Sequence, residues 1–327
     1  MSVLNSHLSK SRSVCFGLVS LLALALIAVS CNQPKSNQTT VEQKTFASPE
    51  AAGEALFDAA KTGDQHALLS IFGPDGSELI FSGDAVKDKN AANAFVSSYQ
   101  QMNRWSKRES GEEVLYVGAD NLTFPIPLKQ NSAGRWAFDS GVGRDEILAR
   151  RIGDGELTAI GVLTEIANAQ QEYFAEKHEF AQKILSDEGQ QDGLYWPAVG
   201  GQKPSPLDPL AQVAKALGYS RSNSPQPFNG YYYQILTKER DPEKTEVKEY
   251  TEKGRLTNFA VLAWPARYRD SGIMTFEVGQ DGVIRQKDLG DKTAQAPADI
   301  TAYDPSWAVV LAPDSATASA GHPDSMD

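Results

Sequence analysis

The chain has 327 residues, 41% of them hydrophobic and 22% charged, with a formal net charge of −11. That length fits roughly two domains with packed cores, and the balance is that of a globular protein, neither disordered nor membrane-embedded along its length. Removing the first thirty residues, which hold Lys10 and Arg12 and no acid, takes the charge to −13; so acidic a body is repelled by phosphate backbones, which excludes nucleic acid as a partner.

Residues 1–12 carry two positive charges, and residues 14–29 form an apolar run broken only by Gly17 and Ser20. This is the layout of a signal peptide, and the run is shorter than the roughly 20 residues that span a bilayer. Small residues lead up to Cys31 in Ile27-Ala28-Val29-Ser30, which resembles the lipobox of bacterial lipoproteins, with Ala28 where that pattern usually has Leu. The resemblance implies cleavage before Cys31 and lipid on its thiol, so residues 1–30 are the expected leader. An uncleaved anchor and ordinary signal-peptidase cleavage are the alternatives. Residues 31–45, rich in Gln, Ser, Asn and Thr, are the expected flexible tether. Several acyl chains on one cysteine hold a protein firmly to a membrane. Asn32 in place of Asp implies export to the outer membrane, facing the periplasm. Only Cys15 and Cys31 exist, so the mature body has neither disulfide nor free thiol.

A first domain is expected over 46–153. Ser48-Pro49-Glu50 starts a helix, with Ser as N-cap, Pro at the first position and an acid favoured by the dipole. Gly63-Asp64 ends it, and a second helix carrying Leu68, Ile71 and Phe72 ends at Gly73-Pro74. A third has Ala91, Phe95, Tyr99 and Met102 at helical spacing. Residues 113–117 then predict a strand, 124–129 an edge strand because Pro125 and Pro127 cannot donate to a ladder, and 135–139 its partner. Helices followed by a curved antiparallel sheet are similar in pattern to the cone-shaped nuclear-transport-factor-like fold, which gives no function by itself.

A second domain is expected over 154–312. Its helix begins at Glu156 with Leu157, Ile160, Thr164, Ala167, Gln171 and Phe174 on one face, and continues through Phe180, Ile184 and Leu185. Residues 192–229 are rich in loops, with a small helix around 210–217. Strands are expected at 230–236, 259–264, 273–278 and 283–286, the last two joined at Gly279-Gln280-Asp281-Gly282. One long helix on an antiparallel sheet makes the fold class α+β. The tail, 313–327, is small, polar and expected to be disordered.

Phe46-Ala-Ser-Pro-Glu, Phe72-Gly-Pro-Asp-Gly, Phe124-Pro-Ile-Pro-Leu, Ile147-Leu-Ala-Arg-Arg-Ile152, Asp192-Gly-Leu-Tyr-Trp-Pro197, Gly230-Tyr-Tyr-Tyr, Ala263-Trp-Pro-Ala266, Ser271-Gly-Ile-Met-Thr-Phe276 and Gln286-Lys-Asp-Leu-Gly290 occur in this order along nearly all of the mature chain. Together they resemble the bacterial envelope proteins grouped as domain of unknown function 2950, a family with no activity to transfer. Where relatives often carry an Asp/Gly-rich, calcium-loop-like stretch, this chain has Glu176-Lys177-His178-Glu179, which lacks the alternating oxygen ligands and turn glycine. No calcium, other metal or cofactor is expected. The second domain alone is weakly similar to type II pseudopilin heads, but its helix is internal and amphipathic rather than an apolar N-terminal assembly helix.

Outside the leader the histidines are His66, His178 and His322, without metal-ligand spacing, and no nucleophile elbow, phosphate loop or HExxH motif occurs. No catalytic residue is assigned. Asp139, Asp145 and Glu146 beside Arg144, Arg150 and Arg151 would suit acid/base work if buried, but acids before arginines along a helix also simply match its dipole. Tyr195 and Trp196, with Tyr231 and Trp264, could form an aromatic shelf for sugar rings or a peptide, or else be core and loop anchors. The expected function is thus a non-enzymatic envelope lipoprotein, held to the membrane through Cys31, that binds a protein partner or cell-wall glycan. The alternatives are an enzyme with an acidic pocket in the first domain and a pseudopilin-like assembly component.

Overall fold

A computed structural model describes residues 42–310 except 75, 199, 202, 221–224 and 245. The expected leader, Cys31, nearly all of the tether and the tail lie outside the described residues.

The first half follows its local signals. Helix α1 (Pro49–Thr62) is capped by the Ser48 side chain, which accepts from the Ala51 N–H, and Gly63 ends it in the left-handed conformation that a side chain would disfavour. Helices α2 (Gln65–Phe72), α3 (Gly76–Ile80) and α4 (Ala85–Gln101) follow. They cover a sheet of β1 (Asn103–Lys107), β2 (Glu113–Val117), β4 (Leu128–Gln130) and β5 (Trp136–Phe138), in that order, with β3 (Leu122–Thr123) also on β2. Ala52, Leu56, Ile71, Phe72, Leu128 and Phe138 form the core between the layers. The expected edge strand at 124–129 is corrected. Its prolines, which have no N–H to give, leave 124–127 only the Phe124 N–H bond to the Leu115 carbonyl and the Asp139 N–H bond to the Pro127 carbonyl, and the short β4 lies inside the sheet, between β2 and β5.

Helix α5 (Ser140–Lys177) is the longest element and departs most from expectation. It starts well before Glu156, at the N-cap Asp139, runs unbroken through residues 153 and 154, and ends at His178 in the left-handed region, so Phe180, Ile184 and Leu185 are not helical. Its buried stripe is Ala159, Val162, Leu163, Ile166, Gln170 and Tyr173; Leu157, expected inside, is 72% exposed. Gln170 is tolerated there because its amide donates to the Ala181 carbonyl and accepts from the Ala181 N–H.

The second half is built on an antiparallel sheet. Helix α6 (Asp208–Ala216) precedes β6 (Tyr231–Leu236), then come the β7 (Lys238–Arg240) and β8 (Val247–Glu249) ribbon and the β9 (Thr251–Glu252) and β10 (Arg255–Leu256) ribbon. Strands β11 (Ala260–Pro265), β12 (Met274–Gly279) and β13 (Ile284–Asp288) follow, then a 3-10 turn (Gly290–Gln295), α7 (Ala296–Asp299) and β14 (Ala308–Val309). The sheet order is β14-β13-β12-β11-β6. Strand alternation gives it two faces. Tyr231, Ile235, Val261, Ala263, Phe276 and Val278 face the core shared with α5, whereas Leu236, Ala260 and Leu262 form a second core with Tyr303 and Trp307 from the chain's last described segment. A Cβ on Gly155 would collide with the Ser271 carbonyl, so glycine lets α5 lie directly on the β11–β12 connection.

Candidate functional site

The expected aromatic shelf is not assembled. Tyr231 is fully buried, its hydroxyl donating to the Met274 carbonyl at 3.0 Å, and Trp196 is buried in the same core. Tyr195 packs partly against that core, while its backbone pairs with Ile184 and Ser186. Trp264 lies on the opposite sheet face, stacked on Tyr232 with centroids 5.5 Å apart. These rings are packing and loop anchors, because strand alternation sends Tyr231 and Trp264 to different sides.

The acids of the first domain are also spread out. Asp139 caps α5, while Asp145 and Glu146 are exposed and Glu146 pairs with Arg150 across one helical turn. Arg151 turns inward instead. It bonds the carbonyls of Glu78 and Leu79 and the carboxylate of Asp270, joining α3 to the β11–β12 connection.

A concave site occurs elsewhere, at the end of the second sheet. A cavity of about 500 Å³ is lined by Glu239, Tyr250, Asn258, Gly279, Gln280, Asp281, Tyr303 and Pro305. Strand β7 brings Glu239 to it; the Tyr250 hydroxyl donates to Glu239 Oε2 at 3.1 Å. The β12–β13 hairpin turn brings Gln280 and Asp281, and Asp281 accepts from Arg285 Nη2 at 3.0 Å. Tyr303 is pinned to β7 by two backbone bonds, its N–H donating to the Lys238 carbonyl and its carbonyl accepting from the Arg240 N–H. Burial pushes both phenols up, Tyr303 to about 12, so both are neutral donors at ordinary pH.

Behind Tyr303 lies a buried acid. Glu277, in the middle of β12, has no exposed surface. Its Oε2 accepts from the Asp304 N–H at 3.0 Å, and its Oε1 has no hydrogen-bond partner among the described residues. Burial pushes this carboxyl up to about 8, and the Asp304 N–H opposes the shift only in part. A cavity whose accessible groups are amides and carboxylates can hold a hydroxylated ligand by several hydrogen bonds. Among the described residues no group of His, Cys, Asp and Glu could hold a metal ion, and no helix is long and apolar enough to cross a membrane.

None of these cavity residues is in the candidate set read from sequence. The available signal was the alternation of β12, which puts Thr275 and Glu277 on the face opposite Phe276 and Val278. What covers that face comes from residues far along the chain.

Fold and site thus define an α+β protein with a polar cleft on its second sheet. The chain belongs to the family described as "Protein of unknown function (DUF2950)", whose profile matches residues 43–310. No curated protein and no solved structure matches the chain.

Proposed function

We propose that this chain is a lipid-anchored binding module of the bacterial envelope that holds a saccharide of the cell wall in the cleft between the β7–β8 ribbon and the β12–β13 hairpin. The observation that carries this reading is the make-up of the cleft: Glu239, Asp281, Asn258 and Gln280 offer planar polar groups around about 500 Å³, with the largely buried Tyr250 and Tyr303 as the rigid side of the lining. A sugar presents a rim of hydroxyls that both donate and accept, which such a set of amides and carboxylates satisfies. The anchor is supported by the leader-like run and the small residues before Cys31.

Co-sedimentation of the full chain with purified peptidoglycan sacculi tests the reading. The wild type should pellet with sacculi, and Glu239→Gln combined with Tyr250→Phe, which keeps the packing, should cut the bound fraction about tenfold by removing charge-assisted hydrogen bonding. Equal retention of both, or crosslinked capture of a protein partner that is lost in the same variant, would sink the saccharide assignment.

A further inference from the structure

The charged residues that line the cleft are both acids, Glu239 and Asp281; among the described residues no lysine or arginine lines it. The two acids are not equivalent. Asp281 is engaged by the protein itself, its Oδ1 accepting from the Val283 N–H at 3.1 Å and its Oδ2 from Arg285 Nη2 at 3.0 Å. Glu239 has no ion pair among the described residues. Strand alternation sends Lys238 and Arg240 to the other face of β7, where Lys238 pairs with Glu249, and Lys248, opposite Glu239 across the ribbon, forms no ion pair with it. The hydrogen bond that the Glu239 carboxylate accepts comes from the Tyr250 hydroxyl to Oε2, which fixes the group and leaves Oε1 without a partner among the described residues.

A second polar group in the same lining is also incomplete. Tyr303 is 5% exposed, and its hydroxyl has no hydrogen-bond partner among the described residues. That hydroxyl lies against Gly279, where a Cβ would come within 3.1 Å of it, so glycine gives the phenol its place in the lining. The Arg285 guanidinium, 5.5 Å from the Tyr303 ring centroid, is engaged by Asp281 and by the carbonyls of Val283 and Pro305. Buried polar groups in native proteins are nearly always hydrogen-bonded. Glu239 and Tyr303 are also neighbours through their backbones, which pair in parallel.

We infer that the cleft selects a saccharide carrying a free, protonated amino group, with the ammonium seated between Glu239 Oε1 and the Tyr303 hydroxyl oxygen. This rests on the saccharide reading above and adds the group that the ligand must carry.

An ammonium has three donors and no acceptor, so it matches a carboxylate oxygen and a phenol oxygen that both have lone pairs to give. Its bond to the carboxylate is charge-assisted from both sides. A sugar hydroxyl in that place gives one hydrogen bond and carries no charge. An acetamido group gives one N–H and brings a carbonyl oxygen toward two acceptors, which repel it. Because Arg285 balances Asp281, the charge left without a counterion in the cleft is that of Glu239, and a cationic ligand supplies one.

The experiment is calorimetric titration of the full chain in detergent micelles at pH 6 with three β-1,4-linked trimers: glucosamine trimer, whose amines are protonated there, N-acetylglucosamine trimer and cellotriose. The glucosamine trimer should bind about tenfold more tightly than either neutral sugar. Glu239→Gln keeps the shape and removes the charge, and should bring the three sugars within about twofold of one another. Glu165→Gln, the same change in net charge at an exposed position of α5, should leave the preference intact. Tyr303→Phe should be no less stable to urea than the wild type, because its hydroxyl has no partner to lose, yet should bind the glucosamine trimer about threefold more weakly. The inference is overturned, and the cleft reading left standing, by equal affinity for the three trimers, tighter binding of a neutral one, or a preference that survives Glu239→Gln or is lost equally in Glu165→Gln. Destabilisation of Tyr303→Phe, or undiminished glucosamine binding by it, overturns the inference as well. Failure of all three trimers to bind removes the saccharide reading and this inference with it.

Discussion

Among the described carboxylates, Glu277 is the one whose surroundings shift it furthest from ordinary solution chemistry. Its carboxyl ordinarily titrates at 4.5 and is pushed up to about 8 by burial, so the folded protein holds a proton that the unfolded chain has released. Because the folded state binds more protons between those values, its stabilising contribution is full below pH 4.5 and is lost as pH rises through about 8. Glu277→Gln has no such proton to lose. Urea unfolding should therefore show the wild type losing roughly 3–5 kcal/mol relative to Glu277→Gln between pH 5 and pH 9; parallel pH profiles for the two proteins would refute the assigned direction. In sequence Glu277 reads as the solvent side of an alternating strand. Nothing within β12 announces that Tyr303 and Trp307 return to cover it.

At the level of elements, the joint between the two halves turns on the start of α4 and the middle of α5. The Asp84 carboxylate caps α4 through Oδ1, accepting from the Val86 and Lys87 N–H groups at 3.1 Å. Its Oδ2 accepts from the Tyr219 hydroxyl at 2.6 Å and the Gly230 N–H at 3.0 Å. Replacing Asp84 with Ala removes a cap and orphans buried donors, and should cost about 3 kcal/mol, seen as one shifted denaturation transition because α5 belongs to both halves. Two separated transitions in the variant would show that the halves are coupled through Asp84 rather than through α5. The elements that the sequence shows plainly are those with local punctuation, such as α1 between Ser48-Pro49 and Gly63, and the β12–β13 hairpin between Gly279 and Gly282. The first half of α5 is hidden because its inward positions include Gly143 and Gly155, which permit close approach to Ile126 and Ser271 instead of displaying an apolar stripe. Strand β1 and the β7–β10 ribbons are hidden because their short, charged segments owe their pairing to neighbours, not to a buried face of their own.

For the whole molecule, the decisive question is the anchor. An acidic chain gains nothing from anionic lipid headgroups, so the proposed membrane attachment requires that Cys31 be acylated. The wild type should incorporate labelled palmitate and fractionate with membranes, and Cys31→Ser should do neither; a membrane-bound, unlabelled Cys31→Ser protein would remove the lipoprotein assignment. The entry of the chain into the fold then takes on a mechanical meaning. The Gln43 amide grips the carbonyls of Ile71 and Phe138 at 3.1 and 2.7 Å, Lys44 donates to Ser70, and Phe46 pairs with Trp136 through both backbone bonds. On the proposed anchor, a pull from the membrane would reach the fold first at these bonds. Under the proposed function the first half would then take that load before the cleft, which is joined to it through α5 and the Asp84 bonds.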